Sequence, residues 1–273
     1  CELRFYFSKF EKLEAKEALS EIEMDPRDFG NWVHGCVQVL LERVANPLVW
    51  LESADYQTMK NLWPSIEKEV WDKLPQKMSR KSLDDFLIEK EIGKVMGFRF
   101  LDKMADQEPH RWLKNEWNLP DFSLKAGGKD WKIGGRADLV FETKNEVWLV
   151  DLKTGGFQAD RDYLVSAKNI EKLSSKVLKI KELFQMLLYA YVANNQQTGN
   201  EKPVKALLFH MANPEAQLIN PIQVDEDKQL VFNSLEEIIA ERISSFANPE
   251  VDVLQTEDIS KCQYCDFKTI CQR

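Results

Sequence analysis

Gly134-Gly135-Arg136-Ala137-Asp138-Leu139-Val140-Phe141, a polar break at Thr143 to Glu146, then Val147-Trp148-Leu149-Val150-Asp151-Leu152-Lys153-Thr154-Gly155 is the stretch that decides the fold. It reads as two β-strands in a hairpin, because β-branched and aromatic residues flank a Lys144-Asn145 turn on both sides. Asp151 and Lys153 lie two residues apart, so their side chains leave the same face of the second strand. Counted outward from the turn, Asp138 falls opposite Asp151. Two carboxylates and an amine then converge at one spot.

Neighbouring carboxylates repel unless positive charge sits between them, and in an oxygen-rich site that charge is most often Mg²⁺ or Mn²⁺. A lysine beside such a cation orients an attacking water and offsets charge on a pentavalent phosphate. Phosphodiester hydrolysis is the chemistry this pattern suits. A lone D-x-K also occurs as a weak surface ion pair, so its significance depends on the rest of the chain.

The rest of the chain carries a family resemblance. Gly135-Arg136-Ala137-Asp138, Asp151-Leu152-Lys153-Thr154-Gly155 and Gln185-Met186-Leu187-Leu188-Tyr189 resemble the PD-(D/E)XK nuclease superfamily, and within it the RecB-like branch. That branch joins a G-x-x-D strand, a D-x-K-T-G strand and a Q-x-x-x-Y helix in this order. Gly30-Asn31-Trp32-Val33-His34, followed by Leu40, Leu41 and Glu42, resembles the branch's histidine-bearing helix. His34 on the apolar face of a helix would otherwise be a core histidine.

Both ends of the chain extend the resemblance. Cys1-Glu2-Leu3-Arg4-Phe5 is similar to the opening of RecB-like nucleases that carry an iron-sulfur cluster, with Glu2 where the family often has Pro. Cys262-Gln263-Tyr264-Cys265, followed by Cys271, is similar to their closing motif. AddB-type helicase-nuclease subunits and CRISPR-associated RecB-like nucleases share this arrangement.

The resemblance implies the following roles. His34, Asp138, Asp151 and the carbonyl of Leu152 bind Mg²⁺ or Mn²⁺, Lys153 positions the water, and Gln185 and Tyr189 steer the strand. Glu116 is a candidate carboxylate that faces the metal or supports its ligands from behind. Cys1, Cys262, Cys265 and Cys271 hold a [4Fe-4S] cluster as a structural clip joining the termini, closing a loop of about 260 residues; the same spacing also permits a structural Zn²⁺ site. Cys36 reads as a small core residue.

The implied activity is a metal-dependent DNA exonuclease of recombinational repair, associated with a helicase domain or subunit. Two alternatives stand beside it: a non-catalytic DNA-binding or scaffolding module of the same fold, and a CRISPR-adaptation nuclease.

The chain has 273 residues, 44% hydrophobic and 30% charged, enough for one large core. Neither an apolar run of membrane-spanning length nor a signal-peptide pattern is present, so a cytoplasmic protein without membrane association is expected. The first residue is Cys rather than Met, which reads as a fragment of a longer polypeptide. The net charge of −8 excludes a surface that attracts DNA everywhere. Local basic runs are Lys168, Lys172, Lys176, Lys179 and Lys181, and Lys73, Lys77, Arg80 and Lys81; each reads equally as a solvated face.

Periodicity and breakers predict helices over 2–22, 28–46 and 178–194, and over 228–246, leading to the cysteine tail at 262–271. Several helices are expected within 49–114, the clearest being Leu87 to Met104, weakened by Gly93 and Gly97. Strands are expected around Trp112 to Trp117, over Pro203 to Met211 and over Ile219 to Val224. The whole chain, 1–273, reads as a single domain with a helical insertion at about 49–110 that covers one side of the site. The implied architecture is the restriction-endonuclease-like α/β fold, a mixed central sheet flanked by helices.

Overall fold

The computed structural model describes residues 3, 6–7, 11, 24–74, 83, 86–120, 122–155, 163–195, 202–215, 217–222, 224–247, 255–257, 259–262, 265, 267 and 270–271. The helix expected over 2–22, Cys1, and Lys77, Arg80 and Lys81 lie outside these residues, apart from Leu3, Tyr6, Phe7 and Glu11.

Among the described residues, helices α1 (Pro26–Val44), α2 (Ser53–Lys73) and α3 (Leu87–Ala105) precede strand β1 (His110–Asn118) and the short strands β2 (Phe122–Ala126) and β3 (Lys129–Ile133). Strands β4 (Arg136–Thr143) and β5 (Val147–Lys153) follow, then helices α4 (Leu173–Lys179) and α5 (Lys181–Asn195). Strand β6 (Val204–His210), the two-residue β7 (Leu218–Ile219) and helix α6 (Lys228–Ala247) complete the order. The sheet runs β1-β4-β5-β6-β7, mixed in direction, because only β5 and β6 pair in parallel. The crossover between those parallel neighbours carries α4 and α5, as a parallel connection requires.

The decisive hairpin forms as its sequence dictates. Thr143 N–H donates to Glu146 O at 2.8 Å, and the Thr143 hydroxyl accepts from the backbone of Asn145 and Glu146. The two-residue Lys144-Asn145 turn therefore sets the register, with Leu139 opposite Val150 and Phe141 opposite Trp148. Continued one pair, that register puts Asp138 opposite Asp151.

Each sheet face is covered. On one side Trp32, Val37, Leu40, Trp63 and Phe100 from α1 to α3 pack against Leu139, Phe141, Val150, Leu152 and Phe209. On the other, Leu183, Met186, Leu187, Val231 and Leu235 from α5 and α6 pack against Val140, Leu149, Ala206 and Leu208. Burial of such side chains, roughly 1.5–3 kcal/mol each, is the main driving force for this layering. Gly93 and Gly97, poor helix residues, mark close crossings. A Cβ on Gly97 would come within 2.2 Å of the Trp63 ring, and one on Gly93 within 2.4 Å of Trp32.

Several expectations shift. α1 starts at Pro26 because Asp25 caps it, accepting from Arg27 N–H at 2.7 Å, and Pro suits a first-turn position. β1 begins at His110, inside the region expected to be helical. The helix expected over 178–194 divides at Ile180, whose φ of −110° and ψ of 94° are not helical, into α4 and α5. The last expected strand shrinks to Leu218–Ile219, with Ile222 bridging only to Val165, since Pro221 cannot donate to a ladder. The β2–β3 hairpin was not foreseen.

A buried histidine gives this core a pH signature. His110, 2% exposed, donates from Nδ1 to Glu108 O at 2.7 Å, so Nε2 is the acceptor for the Tyr56 hydroxyl at 2.5 Å. Burial pushes its pKa down, against the pull of the Glu108 carbonyl. The unfolded chain therefore binds this proton more readily than the folded one. The stability from neutral His110 is complete above the free imidazole value of about 6.5 and is lost as pH falls below it. Denaturant unfolding of His110→Asn should show a destabilisation that shrinks from pH 7.5 to pH 5.5; a pH-independent difference would contradict this assignment.

Candidate active site

The sequence-nominated residues come together where β4 starts, β5 ends and the helices α1 and α5 begin. Asp138 Oδ2 accepts the Leu152 backbone N–H at 2.8 Å, taking the role a strand carbonyl would have further along the ladder. His34 Nδ1, presented by the first half of α1, lies 3.5 Å from the same Asp138 oxygen. Asp151, 2% exposed, accepts from Gln185 Nε2 at 2.8 Å through Oδ1. Lys153 Nζ stands 2.5 Å from Asp151 Oδ2, an ion pair outside hydrogen-bond alignment.

Electrostatics follows from this crowding. Burial and then the Asp138 charge push the Asp151 carboxyl up, to about 6. Asp138 is also raised, chiefly by burial, against its bond from Leu152 N–H and the nearby Lys153. Burial works against charge on Lys153, but the carboxylates of Asp151 and Asp138 outweigh it and raise the ammonium's pKa. Burial holds His34 down at about 4, so its imidazole is neutral at pH 7, the form that donates a lone pair. His34 Nε2 is shut off from solvent with no hydrogen-bond partner among the described residues, as is Asp151 Oδ2 apart from its ion pair.

That donor set fits a divalent cation: two carboxylates and a neutral imidazole, with buried acceptor atoms lacking hydrogen bonds. As they stand, no three His, Cys, Asp or Glu side chains among the described residues are gathered closely enough to hold a metal ion. Lys153 takes up the negative charge of Asp151 in this arrangement.

Gln185 and Tyr189 turn inward. Gln185 Nε2 also donates to the Tyr189 hydroxyl at 2.8 Å, and that hydroxyl donates to Arg136 O at 2.5 Å. The pair therefore links α5 to the foot of β4 and fixes Asp151. Gly135 makes room for the ring, since a Cβ there would come within 2.4 Å of Tyr189 Cε1.

Glu116 lies opposite Asp138, between the pairs Asn115–Leu139 and Trp117–Ala137. Its φ of +44° puts a non-glycine residue in the left-handed region, a locally strained conformation. Its carboxylate is 3.5 Å from Arg136 and about half exposed.

Sequence reading missed His210 and Arg99. His210 ends β6 directly beside Lys153, and its ring donates from Nε2 to Gly155 O at 2.7 Å. Met211 N–H donates to Lys153 O at 2.8 Å, while Arg99 donates to the carbonyls of Met211 and Ala212. Together they pin the backbone on either side of the lysine. A histidine closing an otherwise apolar strand was the available signal.

The cysteines are only partly described. Among the described residues Cys262, Cys265 and Cys271 form no disulfide, Cys265 is buried, and Cys265 N–H donates to Cys262 O at 3.1 Å. Phe7 packs edge-on against Phe267 at 5.5 Å between ring centroids, so the amino-terminal segment meets the cysteine tail. Cys36 is a core residue of α1, its thiol pushed up by burial.

The family profile of the PD-(D/E)XK nuclease superfamily matches residues 1–272. The chain belongs to that superfamily. The five-stranded mixed sheet with helices on both faces agrees with its restriction-endonuclease-like fold. The solved structure of SSO0001 shares 16% identity, with 99% of this chain and 93% of that one covered, at a TM-score of 0.33, too distant to bear on the site. No curated protein sequence matches the chain. PD-(D/E)XK proteins are in general nucleases acting on DNA and typically use Mg²⁺ or Mn²⁺. No helix among the described residues is long and apolar enough to cross a membrane.

The clasp of Tyr189 over Gly135 makes a coupled prediction for this PD-(D/E)XK site. Gly135→Ala should destabilise the protein by about 1–3 kcal/mol through overpacking, and the cost should largely vanish in a Tyr189→Ala background. Denaturant unfolding of the four proteins measures both; an equal cost in both backgrounds would remove the proposed contact.

Proposed function

We propose that the chain is a divalent-metal-dependent DNA exonuclease of the RecB-like branch, working with a helicase domain or subunit in repair or recombination. The observation that carries this reading is the meeting of His34, Asp138, Asp151 and Lys153 around buried donor atoms, His34 Nε2 and Asp151 Oδ2, that lack hydrogen bonds. His34, Asp138, Asp151 and the carbonyl of Leu152 are the residues that would hold Mg²⁺ or Mn²⁺. When bound, such a cation lowers the pKa of a water and offsets charge developing on phosphate, worth several kcal/mol at this kind of site.

The chain's own residues do the remaining work. Lys153, raised above the usual lysine range and fixed from behind by His210 and Met211, carries its proton at pH 7 and presents it to the attacking water and the phosphate oxygens. Gln185 holds Asp151 Oδ1 so that Oδ2 faces the site, and Tyr189 holds Gln185. Glu116 and Arg136 flank Asp138 at the rim. The strand-steering role that family resemblance gives Gln185 and Tyr189 is therefore joined by a positioning role on the carboxylate.

Cys1, Cys262, Cys265 and Cys271 are inferred to ligate a [4Fe-4S] cluster, the contact of Phe7 with Phe267 being the feature that favours it. Anaerobically purified protein should be brown with iron and sulfide present; zinc without iron would assign the Cys₄ zinc alternative instead.

End-labelled linear and matched circular single-stranded DNA, with Mg²⁺ or Mn²⁺, test the activity. Wild-type protein should degrade only the linear substrate, and Asp151→Ala and Lys153→Ala should each lower the rate by about 10²-fold or more while keeping the fold by circular dichroism. Wild-type rates in both variants would sink the site assignment. Cleavage of circles would make the enzyme an endonuclease, and binding without cleavage would favour the non-catalytic module.

A further inference from the structure

A chain of net charge −8 that acts on DNA must hold the polyanion through a local basic surface. Of the described lysines in the runs nominated from sequence, Lys168, Lys172, Lys179 and Lys181 are exposed and two are engaged elsewhere. Lys176 is buried, with Nζ donating to Leu164 O at 2.9 Å, and Lys73 pairs with Glu69 at 2.6 Å.

The unforeseen β2–β3 ribbon differs from those runs in being joined directly to β4, the strand that carries Asp138. It continues the β1–β4 hairpin past the site: Asn118 pairs with Arg136, Leu119 N–H donates to Gly135 O at 2.8 Å, and Phe122 then pairs with Ile133. Its inner face is anchored. Leu124 and Ala126 are buried, and the Phe122 ring packs on Tyr191 of α5 at 4.9 Å. Trp131 Nε1 donates to Ala126 O at 3.0 Å across the two strands.

The outer face is cationic. Ser123, Lys125, Asp130 and Lys132 are exposed on it; Lys129, also exposed, pairs with Ala126 beside the Gly127-Gly128 turn and so leaves the tip of the ribbon from its other face. Lys125 stands opposite Asp130 in register, yet neither it nor Lys129 forms an ion pair among the described residues. At the foot of the ribbon Arg136, its side chain 60% exposed, lies two residues from Asp138. At about 3.3 Å per strand residue, Lys132 is roughly 20 Å along the chain from Asp138 and Lys129 roughly 30 Å. Those spans correspond to about six to nine phosphates at the duplex spacing of about 3.4 Å.

We propose that the β2–β3 ribbon is a backbone-binding arm that grips the phosphates of the nucleic acid several nucleotides from the bond being cut, through Lys125, Lys129 and Lys132. It rests on the nuclease reading above. An arm of this kind contributes affinity to long substrates and nothing to ones too short to reach it.

The test is a Lys125→Ala/Lys129→Ala variant of the whole chain, with the single charge reversal Lys129→Glu beside it in case the double variant folds poorly. Anisotropy with labelled single strands of about 30 nucleotides, over about 50 to 200 mM salt, gives affinity and salt slope. The double variant should bind about 10-fold more weakly, with a log–log slope shallower by about 1.4, while its cleavage rate on a strand of about five nucleotides is unchanged. Wild-type affinity and slope in both variants would overturn the arm while leaving the nuclease reading intact. A slower rate on the short strand would also overturn it, placing the lysines within reach of the site. A wild-type chain that neither binds nor cuts DNA would remove the nuclease reading and the arm with it.

Discussion

Two carboxylates held opposite one another on adjacent strands, at a spot where water is scarce, are the constraint to which the rest of the site answers. Burial raises both Asp138 and Asp151, and the Asp138 charge adds to it at Asp151, so a pair of that kind is tolerated only with compensating partners. Three pieces of the fold supply four such partners. The β5 backbone offers the Leu152 N–H, α5 offers the Gln185 amide, β5 offers the Lys153 ammonium, and α1 brings His34 alongside. The site therefore exists only when the sheet register and both flanking helix layers are in place.

Precision at the site is inherited from close packing behind it. α1 can hold His34 at the sheet end because α3 approaches it through glycine, with Trp32 filling the space where a Gly93 side chain would stand. Trp32 is tied in turn by its indole N–H to Glu67 O at 2.9 Å on α2. On the other side, the Tyr189 ring occupies the room left by Gly135, and its hydroxyl reaches the backbone of Arg136. The glycine of the G-x-x-D motif thus has a steric reason. It admits the tyrosine of the Q-x-x-x-Y motif, and two sequence signals become one contact. Side chains fixed by packing hold a site more exactly than side chains on loops.

How much of this was legible depended on whether a local signal agreed with the tertiary outcome. The Lys144-Asn145 turn with period-two flanks determined register, and so the Asp138–Asp151 juxtaposition could be counted off the chain. The apolar stripe of α1 was marked by Trp32, Val33, Val37, Leu40 and Leu41, whereas its start was expected at residue 28 and falls at Pro26. The β2–β3 ribbon escaped because its strands are short and carry solvent-facing lysines around the Gly127-Gly128 turn, so their pairing depends on packing against α5 and α6. Lys176 read as solvated because isolated helical lysines are, whereas here a loop carbonyl takes its ammonium. His210 carried no motif at all. Its importance comes from parallel pairing with Lys153, a contact between residues far apart in sequence that no local pattern encodes.

On the proposed reading, the same acidity that builds the site also divides labour across the molecule. Asp138, Asp151 and Glu116 create a negative field where a phosphodiester must arrive, so the unassisted site repels its substrate. A divalent cation and Lys153 reverse that field only over a few ångströms, because salt screens exposed charges beyond about 8 Å. Attraction at longer range has to come from cations placed beyond the reach of the acids, on an element rigid enough not to collapse onto them. A ribbon anchored by Phe122, Leu124 and Trp131 satisfies both requirements. Chemistry and affinity then reside on different parts of the paired strands: Asp138 and Asp151 lie side by side on β4 and β5, and the β2–β3 ribbon that extends the β1–β4 pair carries the lysines.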